Sequence, residues 1–173
     1  KELYIKRLNS LPNGADVDYV KVAAKTFETI AMAKVSTSAA EARELGFLNS
    51  RDGITMNSDH LLYEAKQAVL ALYEDGYRPP VRKKVPVAGE SGYAAMLLGA
   101  QSMFHSGYIS EHDLKIAKKL AYVLAGGNVP YGTEVDEQYL LDLEREAFLS
   151  LIGEPKTQAR MQHMLVKGKP LRN

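Results

Sequence analysis

The chain has 173 residues, 46% of them apolar and 25% charged, with 22 Lys plus Arg against 21 Asp plus Glu. That composition suits a soluble domain with a sizeable core and excludes collagen-like and disordered chains. A formal net charge of +1 leaves no global field for nucleic acid or an anionic membrane, so no nucleic-acid partner is expected. The absence of cysteine removes disulfides, thiolate zinc sites, iron–sulfur clusters and cysteine nucleophiles together, and it fits a cytoplasmic protein. No stretch approaches the ~20 consecutive apolar residues of a membrane span, and Lys1-Glu2-Leu3-Tyr4 lacks a signal peptide's apolar core. With no initiator methionine and a helical pattern already under way at Lys1, the expectation is a piece of a longer chain.

Val17, Val20, Ala24, Phe27 and Ala31 recur at three- and four-residue spacing, which predicts an amphipathic helix over residues 16 to 32. Ser38 with Glu41 three residues later is a capping box, and Gly46 supplies the stop for a short helix from Ala39 to Leu45. Phe47-Leu48 and Ile54-Thr55-Met56 are candidates for short extended pieces. A further helix follows Asn57 or Ser58, runs through Leu62, Ala65, Val69 and Leu72, and stops at Gly76. The prolines of Arg78-Pro79-Pro80-Val81-Arg82-Lys83-Lys84-Val85-Pro86 forbid a helix there and predict a connector. Beyond it, Tyr93, Met96, Leu97, Ala100 and Phe104 form a stripe ending at Gly107. Ser110 opens a helix carrying Leu114, Ala117, Ala121 and Leu124, closed by Gly126-Gly127. Thr133 and Asp136 form another capping box ahead of Leu140, Leu143, Ala147, Phe148 and Leu151, with Gly153 as the stop. A last helix runs from Pro155 to just before Gly168. The fold class is mainly α, either an independent bundle or the helical portion of a mixed domain whose sheet lies upstream.

The residues by themselves reveal no active site. His60, His105, His112 and His163 lack the HxxxH or HExxH spacing that puts two imidazoles on one helical face, so no metal is expected. Gly89-Glu90-Ser91-Gly92 lacks the second glycine position and preceding strand of a nucleophile elbow and reads as a helix start. Ala125-Gly126-Gly127-Asn128 and Lys167-Gly168-Lys169 are helix ends rather than phosphate loops. Asp142 and Glu146 share a helix face and could serve as an acid/base pair only if burial separated their pKa values. Their polar surroundings favour a solvated surface. Arg82-Lys83-Lys84 and Lys167, Lys169, Arg172 are the basic clusters, as phosphate grips or as solvated loops and tails.

The run from Phe27 through Ala39-Ala40-Glu41-Ala42-Arg43-Glu44-Leu45-Gly46-Phe47 to Leu48 resembles the A-x-E-A-x-x-x-G-[LF] region of the enoyl-CoA hydratase/isomerase (crotonase) family. Leu143-Glu144-Arg145-Glu146-Ala147-Phe148 and the ending Met164-Leu165-Val166-Lys167-Gly168-Lys169-Pro170 are similar to the endings of that family. Closer still, the chain resembles the C-terminal part of bacterial bifunctional 3-hydroxyacyl-CoA dehydrogenase/enoyl-CoA hydratases of fatty-acid β-oxidation. Residues 1 to 76 and 136 to 170 carry the broader likeness, and 77 to 135 match the bifunctional subgroup.

The resemblance implies the helical C-terminal portion of a crotonase-type ββα spiral fold with few short strands. Residues 1–76 would be the end of the hydratase-like region, 77–89 a proline-containing connector and 90–173 a helical C-terminal bundle. The oxyanion-holding amides and the acid/base glutamates of the family lie upstream, so no catalytic residue is expected here and the isolated piece should be inert. NAD would serve the parent dehydrogenase and a CoA thioester would be the substrate, with no cofactor in this piece itself. The helices would cover the acyl pocket and build contacts between subunits, making the upstream domains and further copies of the chain the expected partners. In the family, an aromatic residue and a lysine of the last helix reach the nucleotide end of CoA. These fall on Met164 and Lys167, with Met164 in place of the aromatic and Gly168 in place of a basic residue. The competing expectation is an autonomous helical module for oligomerisation or partner docking. Helices severed from the sheet they cover should expose apolar stripes that promote self-association.

Overall fold

A computed structural model of the chain describes residues 1–12, 16–81 and 83–173. In chain order the elements are α1 (Glu2–Asn9), α2 (Tyr19–Ala31), α3 (Ala39–Glu44), a 3₁₀ turn (Ser58–His60), α4 (Leu61–Glu74), β1 (Val85–Pro86), α5 (Gly89–His105), α6 (Glu111–Ala125), β2 (Glu134–Val135), α7 (Glu137–Ile152) and α8 (Pro155–Lys167). The mainly helical expectation holds. The chain divides into two compact units, one made of Lys1–Val35 with Lys84–Asn173 and the other of Ser36–Lys83.

Local chemistry explains where the helices begin. Asp18, Ser38 and Ser110 each have extended backbone and accept from an amide three residues on, satisfying an orphan N–H of α2, α3 and α6. At Ser110 the box is reciprocal, because the Asp113 carboxylate accepts from the Ser110 amide. At Ser38 it is not. Glu41 reaches one residue further back, to the amide and hydroxyl of Thr37, both at 2.6 Å. Asn57 caps the 3₁₀ turn through the Asp59 amide, and α4 continues from it.

Three expectations are corrected. Phe47 and Leu48 are not extended, since both amides return to the Ala42 carbonyl and close α3. Ile54–Met56 also pairs with no strand. The capping box at Thr133 and Asp136 does not form: the Thr133 hydroxyl donates to the Pro130 carbonyl at 2.7 Å, and Asp136 caps α7 without a side-chain hydrogen bond. The cause is the antiparallel pairing of β1 with β2, Val85 opposite Val135 and Pro86 opposite Glu134. It continues as Val87 N–H donating to the Thr133 carbonyl at 3.0 Å. That pairing draws Thr133 into a ladder before α7 begins, and it makes Val85 and Pro86, within the proline-containing connector, a strand.

The larger unit has a core of Tyr4, Ala23, Val87, Met96, Ala121, Leu124, Ala125, Leu140 and Leu143, joined to Val85, Ala88 and Val123. Small residues at Ala23, Ala121 and Ala125 are fully covered, which lets helix backbones approach closely while Leu and Met fill the gaps. Ala100, Leu114 and Ala117 form a second cluster between α5 and α6, with Phe104 against it. The Tyr4 hydroxyl donates to the Pro86 carbonyl at 2.9 Å, tying α1 to β1. Burial, with Tyr19 and Tyr131 nearby, pushes the Tyr4 phenol pKa well up. Tyr4→Phe should cost about 1 kcal/mol in a urea unfolding titration, because it leaves the Pro86 carbonyl without that donor.

In the smaller unit, α4 carries no buried residue. Leu62 is 83% exposed, Tyr73 81% and Val69 64%.

Candidate functional site

The residues expected to meet CoA lie on α8. Pro155 occupies the first turn of the helix, where its missing N–H costs nothing. Gly168 ends it in the left-handed conformation at φ +63°, its amide returning to the Met164 carbonyl at 2.9 Å. Met164 and Lys167 are three residues apart and share one face. Both are exposed, with Met161 and Leu165 as further exposed apolar groups beside them. His163 Nδ1 meets the Lys169 carbonyl at 2.8 Å, holding the chain just past the helix end. The arrangement offers a mobile cation beside apolar surface, able to contact a phosphate and a flat ring without performing chemistry on either. The helix dipole opposes an anion at this end, so the lysine charge must outweigh it.

The other sequence candidates take structural places. Gly89-Glu90-Ser91-Gly92 is the first turn of α5. Gly126-Gly127 closes α6, both at positive φ, with the Gly127 amide on the Tyr122 carbonyl. Asp142 accepts from Gln138 and Arg145 on the open surface of α7, so it is a solvated side chain. Lys83 and Lys84 are exposed, and Arg82 lies outside the described residues. Among the described residues no group of three or more His, Asp or Glu side chains converges on a metal position. No helix among them is long and apolar enough to cross a membrane.

A second place has the shape of a site. A cavity of about 550 Å³ is lined by Phe104 at the end of α5, by Glu111, His112, Leu114, Lys115 and Lys118 on α6, and by Glu154 and Lys156 at the start of α8. His112 is buried, and its Nε2 lies 2.9 Å from the Thr157 hydroxyl. Lys115 pairs with Glu154 at 2.5 Å. Arg160 anchors the neighbourhood through Asp113 at 2.6 Å and Asn173 at 2.7 Å. Sequence reasoning missed this place because its lining comes from three segments with no local motif. The only signal available was Lys115 and Lys118, three apart on one helix face.

Burial holds the His112 pKa below the usual imidazole value, and the positive charges of Arg160 and Lys156 push it the same way. The folded state thus favours neutral His112. Its contribution to stability is complete above about pH 6.5 and is lost as the pH falls toward the lowered folded value. The melting temperature should therefore decline on acidification below about pH 6.5, and His112→Gln should flatten that part of the profile. An unchanged slope in the variant would contradict the assignment.

No protein-family model and no solved structure matches the chain. Over all 173 of its residues the chain is 69% identical to a probable 3-hydroxyacyl-CoA dehydrogenase of Bacillus subtilis (strain 168). It spans 21% of that protein's length.

Proposed function

We propose that this chain is the helical C-terminal segment of a fatty-acid β-oxidation multienzyme whose parent oxidises 3-hydroxyacyl-CoA with NAD and hydrates enoyl-CoA. The observation that carries the dehydrogenase part is the 69% identity along the whole chain to a protein named as a probable 3-hydroxyacyl-CoA dehydrogenase. The hydratase part and the crotonase-type spiral rest on the resemblance of residues 27 to 48. The role of the segment is to cover the acyl pocket and supply contacts between subunits, in a cytoplasmic homo-oligomer. The exposed apolar face of α4, Leu62, Val69, Leu72 and Tyr73, supports this, because about four-fifths of the homologue lies outside the matched region and offers protein to cover it. Met164 and Lys167 contribute an apolar contact and a cation to the nucleotide end of CoA.

The intact protein should reduce NAD in the presence of a 3-hydroxyacyl-CoA, whereas the 173-residue polypeptide alone should neither do so nor hydrate an enoyl-CoA. Lys167→Gln in the intact protein should raise KM for the thioester roughly threefold to tenfold with kcat unchanged, as expected for loss of uniform binding. A fall in kcat at unchanged KM would place Lys167 elsewhere. The face of α4 also suits the second reading, an autonomous helical docking module without catalysis. An intact protein that leaves NAD unreduced would favour that module.

A further inference from the structure

We propose that the cavity lined by Phe104, His112, Leu114, Lys115, Lys118 and Lys156 binds a small phosphomonoester carrying an apolar organic group. Its volume, about 550 Å³, falls within the usual range for small-molecule sites. The sign of its charge follows from the ion pairs. Lys115 and Glu154 neutralise each other across the cavity wall. Among the described residues, Lys118 and Lys156 have no carboxylate within ion-pair distance, and both are exposed. Glu111 is the one remaining carboxylate in the lining. It sits on α6 seven residues before Lys118, two helical turns or about 10 Å along the axis, so it lies toward the opposite end of the wall. The balance over the lining is one net positive charge.

The apolar wall is equally specific. Phe104 and Leu114 belong to the cluster that holds α5 against α6, so they present a fixed surface rather than mobile side chains. His112 is held against Thr157, and its burial disfavours the charged imidazolium. Lysines act on phosphate as compact point charges on flexible stems, and these two reach the cavity from different helices, Lys118 from α6 and Lys156 from α8. The site is separate from Met164 and Lys167, which stand at the other end of α8.

The test is calorimetric titration of the intact protein with phenyl phosphate, inorganic phosphate and benzylamine. Phenyl phosphate should bind, several-fold more tightly than inorganic phosphate. Lys118→Gln and Lys156→Gln should each weaken it roughly threefold to tenfold, and the double variant roughly tenfold to a hundredfold. Glu111→Gln should tighten it by a few-fold, and Lys167→Gln should leave it unchanged. All these positions are exposed, and unaltered melting curves would show that the variants fold. The proposal is overturned by absent binding, by equal affinity for inorganic phosphate, by preference for benzylamine, or by binding that responds to Lys167→Gln instead of the cavity lysines.

Discussion

Replacing Gly89 with alanine should lower the unfolding free energy by about 3 to 5 kcal/mol, while the same change at Gly99, in the same helix, should raise it by up to about 1 kcal/mol. Gly89 opens α5 at φ +59°, a conformation that costs any side chain. An added Cβ would lie 2.4 Å from the Val129 carbonyl oxygen and 2.6 Å from the Pro130 carbonyl carbon. Both obstacles are backbone, so neither can swing aside, and the Val129 oxygen is also the acceptor for the Glu90 amide at 3.0 Å. Gly99 has ordinary helical backbone and open space around its Cβ position, so alanine there only removes disorder from the unfolded chain. Urea unfolding followed by circular dichroism measures both. A Gly89→Ala protein as stable as the parent would mean that the 129–130 loop does not lie across the start of α5.

Arg7→Leu should cost about 2 to 4 kcal/mol, and adding Thr26→Val and Thr29→Val should restore most of it. Thr26 and Thr29 are fully buried on α2. Each hydroxyl proton is already committed to its own helix, to the Val22 carbonyl at 2.8 Å and the Lys25 carbonyl at 2.9 Å. The remaining lone pairs accept from the Arg7 guanidinium, at 3.1 Å and 2.9 Å. One planar fork thus serves two buried acceptors and fastens α1 to α2. Leucine in place of Arg7 leaves both oxygens buried without a donor, whereas valines remove the acceptors themselves. A triple variant less stable than Arg7→Leu alone would contradict this division of roles.

The helix starts are legible because their causes are local. Ser38, Asn57 and Ser110 each act on an amide two or three residues away, so the signal and its partner sit in one short window; Asp18 caps α2 the same way, but the apolar stripe alone begins that helix at residue 16. Thr133 fails as a cap for a non-local reason: its carbonyl is taken by Val87, 46 positions earlier in the chain. No pattern around residue 133 records that. The two-residue strands are invisible for the same reason, being defined by each other rather than by propensity. Periodicity marked Leu62, Val69 and Leu72 as one face, and they do share the helix α4. What covers such a face is not a property of the helix, and these residues stand open. Met164 and Lys167 came from resemblance, not from local chemistry. The lysine-lined cavity is not legible beyond the spacing of Lys115 and Lys118, because Phe104, Lys118 and Lys156 meet only through the packing of α5, α6 and α8.

Hydrogen–deuterium exchange of the intact protein, with and without an acyl-CoA, asks most directly whether this helical segment lies over a bound thioester. Slowed exchange in the last turn of α8, around Met164 to Gly168, is the expected result. Exchange unchanged throughout residues 1–173, under conditions where the protein demonstrably holds the thioester, would show that the segment has no part in covering it.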